Sequence, residues 1–402
     1  MAPMLSNEIL LKAANEFSTP LYVYDEERIH FQYSKLVHAF RKSDVKIFYA
    51  CKALSNINVL RILQQLGSGI DCVSLNEVQF ALKAGFKPEK IIFTPNSVSI
   101  EDYTEAKTLQ VNINIDNLNV LKQFGELYGD TYPVVVRINP HIMAGGNIKI
   151  STGHIDSKFG ISIDQSDEIL KIIHDTNLSV KGLHIHTGSE IKEVEVFLNG
   201  LDLVLELSKK FEHLSVIDLG GGFKVPYKPN ESGVNLEELG MKLSEKIEAF
   251  EAKNNKKIQI WFEPGKYLVS DAGYFLTKVN VIKENPTRSF VGVDSGFNHL
   301  IRPMFYDAYH IITNISNTKG PLRKYNIVGN ICETDTFAWD RELHEVNPAD
   351  ILCFSNAGAY GFEMSSRFNS RARPAEVLVN KGKMKLIRRR ETLDDLLQGQ
   401  VL

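Results

Sequence analysis

Lys46-Ile-Phe-Tyr-Ala-Cys-Lys52 decides how the chain is read. Ile47 to Ala50 form a short apolar run of the kind that a strand buried on both faces of a parallel sheet shows. A lysine stands at its C-terminal end, and Ala53 to Leu66 reads as a helix. Lysine is rarely buried unless it is paired or put to use. Taken alone, Lys52 is accounted for by a stem that lies on apolar surface while its ammonium reaches water. At the mouth of an α/β barrel the same amine can lose its proton through desolvation and attack a carbonyl.

Seven further apolar runs follow, at Gly69–Ser74, Lys90–Thr94, Val111–Asp116, Pro133–Asn139, Lys181–Thr187, Ser215–Leu219 and Lys257–Glu263. Helical patterns lie between them, as in Asn76–Ala84, Asp167–Asp175, Val194–Phe211 and Leu236–Ala252. Eight strand–helix repeats match a (β/α)8 barrel of TIM type, which usually takes roughly 250 residues. A doubly wound sheet is the alternative, and unbroken alternation favours closure. After Glu263 the runs Phe275–Ile282, Phe290–Asp294, Tyr325–Ile331, Asp350–Ser355, Glu376–Val379 and Met384–Arg388 are strand-like. Turns at Asn285-Pro286, Asn317–Pro321 and Asn347-Pro348 separate them. Leu21-Tyr-Val-Tyr24 has no place in a barrel already closed by eight strands. The expected organisation is therefore a barrel over residues 26–274 and a C-terminal β-sandwich or β-barrel domain over 275–402 that takes in residues 1–25.

The 402 residues are 43% hydrophobic and 24% charged, with a net charge of -3. That balance gives no reason to expect nucleic acid or an anionic membrane as a partner. Cys51, Cys72, Cys332 and Cys353 form no CxxC pair and no disulfide scaffold, which fits a reducing cytoplasm. The start MAPMLSNEIL lacks the charged region and apolar core of a signal peptide. No apolar run approaches the length of a membrane span.

Barrels of this kind carry their active sites at the C-terminal ends of the strands. There the sequence places Lys52; Asp71, Cys72 and Ser74; Arg137 and Asn139; and His184, His186, Thr187, Gly188 and Ser189. Gly220-Gly221-Gly222 and Glu263-Pro264-Gly265-Lys266 complete the set. Three successive glycines let backbone N–H groups approach an anion, and a helix opening after them would add its field. Alone they read equally as a flexible loop. His186 alone reads as a satisfied core histidine, and Glu263 alone as the partner of a nearby lysine. Together, an amine, a flat ring, a phosphate loop and a carboxylate facing one mouth meet the demands of pyridoxal phosphate. No metal site is expected.

The chain resembles the alanine-racemase-like (fold type III) pyridoxal-phosphate decarboxylases, and within them the diaminopimelate branch. The resemblance runs nearly end to end. It is carried by Tyr49-Ala-Cys-Lys-Ala53, Asp71-Cys-Val-Ser74 with Glu77, Ser151-Thr-Gly153 with Lys158-Phe-Gly160, His186-Thr-Gly-Ser189, Gly220-Gly-Gly222 and Glu263-Pro-Gly265. Arg302-Pro303 with Tyr306, Cys332-Glu333 and Gly358-Ala-Tyr-Gly361 continue it. The resemblance implies that Lys52 forms the covalent link to the cofactor and His186 stacks on its ring. Ser189, Gly221, Gly222 and Tyr360 should bind the phosphate and Glu263 the pyridine nitrogen, with Asp71, Pro264, Gly265 and Lys266 lining the same site. Arg302, Tyr306, Glu333 and Tyr360, with Lys266, should hold the amino-acid substrate. In relatives the cysteine and its neighbour act in the other subunit's site. The resemblance therefore implies a homodimer with shared active sites, Cys332 donating a proton after carbon dioxide leaves. The implied reaction converts meso-2,6-diaminopimelate to L-lysine. Decarboxylases of ornithine, lysine, arginine or carboxynorspermidine are the alternatives on this fold. A non-catalytic cofactor-binding regulator resembling an antizyme inhibitor, or a racemase, fits less well. The family usually has asparagine where Leu54 stands, glutamine at Glu190 and arginine at Lys266. A lysine there keeps the charge and loses the bidentate fork.

Overall fold

The protein is described from a computed structural model, which places residues 4–142, 153–154 and 156–401. The Ser151-Thr152 pair of the expected Ser151–Gly160 motif lies outside them. Contacts divide the chain into two compact units. One is Tyr33–Val225 with Ser232–Tyr267, and the other is Met1–Gln32, Pro226–Glu231 and Leu268–Leu402.

In chain order the first ten strands are β1 (Leu21–Asp25), β2 (Val45–Ala50), β3 (Gly69–Cys72), β4 (Ile91–Phe93), β5 (Asn112–Ile115), β6 (Val134–Asn139), β7 (Ile161–Ser162), β8 (Val180–Ile185), β9 (Val216–Asp218) and β10 (Gln259–Phe262). All eight barrel strands expected from the sequence are present. They run β2-β3-β4-β5-β6-β8-β9-β10, and β10 returns to β2 with Ile260 opposite Val45. Every pairing is parallel, so the barrel is closed. The short β7 hangs on β6 outside the ring.

Side chains fill the lower barrel. Phe48, Ile92, Val135, Val216 and Trp261 pack together, with the rings of Phe48 and Trp261 4.7 Å apart. Gly69 leaves the space that Phe48 occupies, and Gly182 the space for Val216. Above this apolar layer the strand ends turn polar, and Asp71, Asn114, Arg137, His184, Asp218 and Glu263 are all buried. A polar group costs free energy when buried without a partner, so such a layer marks a place where chemistry is done.

Helices start where their caps say they should. The expected helix over Ala53–Leu66 is delayed: a single 3-10 turn, Cys51–Ala53, follows β2, and the α-helix Ile57–Gln65 begins after Asn56, which accepts from the Asn58 N–H. Ser74 caps Leu75–Ala84 by accepting from the Glu77 N–H, while Glu77 accepts from the Val73 N–H at 2.8 Å. This reciprocal pair fixes the end of β3 beside Asp71. Gly85 ends the helix at φ +100, a conformation that only glycine adopts freely.

The second unit is built on β1 with β11 (Gly273–Glu284), β12 (Ser289–Val293), β13 (Ile312–Asn314), β14 (Leu322–Val328), β15 (Thr336–His344), β16 (Ile351–Phe354), β17 (Ala375–Asn380) and β18 (Lys383–Arg388). These form one nine-stranded sheet. As expected, β1 belongs to it: Leu21 lies antiparallel to Leu276 and parallel to Ala375. All five β1 residues are buried. The helix Asn7–Phe17 lays Leu10, Ala13 and Ala14 against Leu21, Val23, Leu276 and Val377. Among the described residues no helix is long and apolar enough to cross a membrane.

Candidate active site

Lys52 stands on the 3-10 turn at the end of β2 and reaches Asp71 at the end of β3, Nζ to Oδ2 3.0 Å. The Asp71 side chain is fully buried, whereas 41% of the Lys52 side chain is exposed. The amine is thus anchored from below and presented upward. Gly265 makes this possible from the other side, since a Cβ there would press on Ala50 and Ala53 at 3.1 Å.

Behind the lysine lies a buried charge network. His184 Nδ1 meets the Asn114 amide at 2.6 Å, and its Nε2 lies 3.5 Å from Glu263 Oε2. Asp218 Oδ1 accepts from the Gly220 N–H at 2.8 Å. Among the described residues Asp218 Oδ2, Glu263 Oε1 and Asp71 Oδ1 are buried with no hydrogen-bond donor. Burial, then the charges of Asp218 and Asp71, push the Glu263 carboxyl well above the usual range, although Lys52 and Arg137 oppose the rise. Burial also raises Asp218, against its bond from Gly220. The charges of Asp71 and Asp218 add to the effect of burial on Glu263, and that of Asp71 to its effect on Asp218, so both carboxyls are pushed towards the protonated form. Ligand atoms of His184, Asp218 and Glu263 lie within 4.8 Å of one another. Arg137 and Lys52 already supply the positive charge that a metal would bring to this cluster.

His186 takes the opposite course. Burial, Arg137 and Lys52 push it down to about 3, so the ring is neutral. Its Nδ1 accepts from the Gly221 N–H at 3.3 Å, which leaves the ring proton on Nε2. A flat, uncharged ring is thereby pinned beside the glycine turn.

Gly220 and Gly222 have φ of +64 and +92. A Cβ on Gly221 would strike the Glu263 carbonyl oxygen, and one on Gly222 the Gly188 carbonyl oxygen. Ile191 donates to the Gly222 carbonyl at 2.8 Å and Glu263 to that of Gly220 at 2.8 Å. The turn is therefore gripped from both sides and is not a loose loop. No helix opens after the glycines; the next begins at Leu236. The expected helix field is absent, because Phe223 pairs with Ile191 and draws the chain away as an extended segment. Ser189 precedes Glu190, which has φ +64 and forms an ion pair with Lys266.

The remaining expected site residues belong to the sheet unit. Arg302 is buried, its guanidinium 5.3 Å from the Tyr227 ring centre and 5.8 Å from that of Tyr306. Its Nε has no hydrogen-bond partner among the described residues. Cys332 and Glu333 are exposed. Asn369 holds the cysteine, accepting from its N–H at 3.0 Å and donating to Sγ at 3.1 Å. Tyr360 is half-buried at φ +56. Sequence reasoning passed over Asp218, which sits inside the apolar run Ser215–Leu219, and Asn114, which alternates with Asn112 and Asp116 in a run read only as a strand. The glycines two residues after Asp218 were the cue that could have found it.

Residues 26–270 match the pyridoxal-binding domain of the pyridoxal-dependent decarboxylases. Over 403 aligned residues the chain is 40% identical to diaminopimelate decarboxylase of Methanothermobacter thermautotrophicus, covering 97% of this chain and 93% of the relative. The chain belongs to the pyridoxal-dependent decarboxylases. Within that family it is also 35% identical to the Haemophilus influenzae diaminopimelate decarboxylase, covering 95% of this chain and 93% of that one. Two solved structures of diaminopimelate decarboxylases in complex with L-lysine superpose closely. That from Methanocaldococcus jannaschii has TM-score 0.88, 32% identity and coverage of 98% and 94%. That from Helicobacter pylori has TM-score 0.87, 32% identity and coverage of 97% and 98%. A lysine/ornithine decarboxylase of Vibrio vulnificus, at 24% identity and TM-score 0.82, shares the fold.

Pyridoxal phosphate fits this barrel. The site holds an amine beside a buried carboxylate, a glycine turn with no room for side chains, and a buried Glu263 oxygen without a donor.

Proposed function

We propose that this chain decarboxylates meso-2,6-diaminopimelate to L-lysine and carbon dioxide with pyridoxal phosphate. The observation that carries the reading is the Lys52–Asp71–Glu263 arrangement, in a chain so close to diaminopimelate decarboxylases over nearly its whole length. The cofactor-binding barrel lies within residues 26–274, and residues 1–25 with 275–402 make up most of the sheet domain.

When bound, pyridoxal phosphate supplies an electron sink for the pair left by the departing carbon dioxide. Lys52 Nζ would hold the cofactor covalently, and Asp71, 3.0 Å from that nitrogen, would orient the amine. His186, kept neutral, would stack on the cofactor ring. Ser189, Gly221, Gly222 and Tyr360 would hold the phosphate and Glu263, with its donorless oxygen, the pyridine nitrogen, with Pro264, Gly265 and Lys266 lining the same site. Arg302, Tyr306 and Tyr360, with Lys266, hold the distal carboxylate. Glu333 takes the distal ammonium, and a homodimer completes each site with Cys332 of the partner subunit protonating the α-carbon. The enzyme works in the cytoplasm.

Product analysis of the cofactor-loaded protein tests this against meso-diaminopimelate, lysine, ornithine, arginine and carboxynorspermidine. Lysine and carbon dioxide from diaminopimelate alone are expected. Turnover of ornithine, arginine, lysine or carboxynorspermidine in its place would overturn the substrate assignment.

A further inference from the structure

Glu190 and Lys266 come from the two walls that grip the glycine turn. Glu190 ends the turn after β8, one residue beyond Ser189 and two beyond Gly188, whose carbonyl faces Gly222. Lys266 ends the turn after β10, three residues beyond Glu263, whose carbonyl faces Gly221. Their side chains meet as an ion pair and are only 12% (Lys266) and 20% (Glu190) exposed, so water screens the pair weakly. A carboxylate is the wrong charge to build into the wall of an anion subsite. It sits there in a left-handed backbone conformation (φ +64) that glutamate rarely adopts.

We propose that Glu190 is a positioning residue that competes with the incoming anion for the Lys266 ammonium, and so sets how tightly the glycine turn holds that anion. The anionic group is the phosphate of pyridoxal phosphate or the distal carboxylate of the substrate. This rests on the reading under Proposed function. With Glu190 in place, an anion reaching Lys266 must displace a preformed counter-charge. Lys266 therefore acts as a partly neutralised cation, where an unopposed one would bind the anion more tightly and release it more slowly.

The test is equilibrium binding of pyridoxal phosphate, and of pyridoxal as the phosphate-free control, to the cofactor-depleted full chain. KM and kcat for meso-diaminopimelate are measured on the reloaded enzyme. If the anion is the phosphate, Glu190→Gln tightens pyridoxal phosphate roughly five- to tenfold and leaves pyridoxal unchanged. If it is the substrate carboxylate, cofactor affinity holds and KM falls by that factor at constant kcat. Lys266→Met should loosen the same ligand, and adding Glu190→Gln to it should recover part of the loss by removing repulsion. That comparison holds even if the single glutamate variant folds poorly. A merely structural ion pair gives the opposite sign: Glu190→Gln that loosens cofactor and substrate alike, or leaves both unmoved, overturns the proposal. Wild-type protein that binds no pyridoxal phosphate overturns the functional reading, and the proposal with it.

Discussion

At the scale of single residues, the site works by pushing neighbouring groups in opposite directions. Burial keeps His186 uncharged and raises the Glu263 carboxyl, while Asp71 is given an ammonium to face. Asp218 carries the clearest cost. Its folded carboxyl titrates above the ordinary value, so the folded state binds the proton more tightly than the unfolded one. Stability contributed by that proton is fully present at low pH and is lost as pH rises from the ordinary carboxylate range through the raised value. Asp218→Asn, which keeps an oxygen for the Gly220 N–H, should therefore stabilise the protein by about 1–2 kcal/mol at pH 8, the gain shrinking to nothing near pH 4. Calorimetric melting of both proteins across that range checks it. A gain that does not depend on pH would mean that the buried charge is not its source. Lys52 was legible because a lysine after a buried run is conspicuous. Asp218 was not, because a single carboxylate closing a strand looks the same whether it faces water or a charge network. Leu54, Glu190 and Lys266 stood out as departures from the family, but the meeting of the last two is a property of the folded barrel.

At the scale of elements, period and punctuation account for most of what could be read. All eight barrel strands were legible because a strand covered on both faces is a bare apolar run. Two sheet strands escaped. β13 is three residues long, and β15 alternates buried with exposed and charged residues at the sheet edge. The helix expected at Ala53 starts at Ile57 because Asn56 offers the better cap. The glycine turn divides along similar lines: its flexibility is visible in sequence, its crowding is not. Gly67 and Gly222 share nearly the same φ, +91 and +92, but nothing lies within 4 Å of a Cβ on Gly67. Gly67→Ala should cost about 1 kcal/mol, the price of the left-handed backbone alone. Gly222→Ala should cost about 3 kcal/mol or more and weaken pyridoxal phosphate binding at least roughly tenfold, because the Gly188 carbonyl must also move. Denaturant titration and cofactor titration of the two variants give the comparison; equal losses would show that the close approach is not needed.

At the scale of the whole molecule, the proposed sharing of active sites between two subunits makes a prediction that no single chain can satisfy. Lys52→Ala and Cys332→Ala homodimers should each be nearly inactive. Mixing them under conditions that allow subunit exchange should restore up to about a quarter of wild-type activity, since a two-fold dimer that shares residues regains one intact site in each hybrid. No recovery, with exchange confirmed by mass, would place both residues in one chain's own site. The covalent order of the sheet unit bears on how such a subunit is made. β1 is a central strand whose neighbours are β11 and β17, more than 240 residues further along the chain. A ribosome therefore releases a five-residue apolar strand early and withholds both of its partners until the barrel has been synthesised. The barrel, whose strands pair with near neighbours in sequence, can close during translation, while β1 waits with its backbone donors and acceptors unpaired. In a cell, the interval between emergence of Leu21 and emergence of Ala375 is the period in which this chain is most exposed to chaperones and to aggregation.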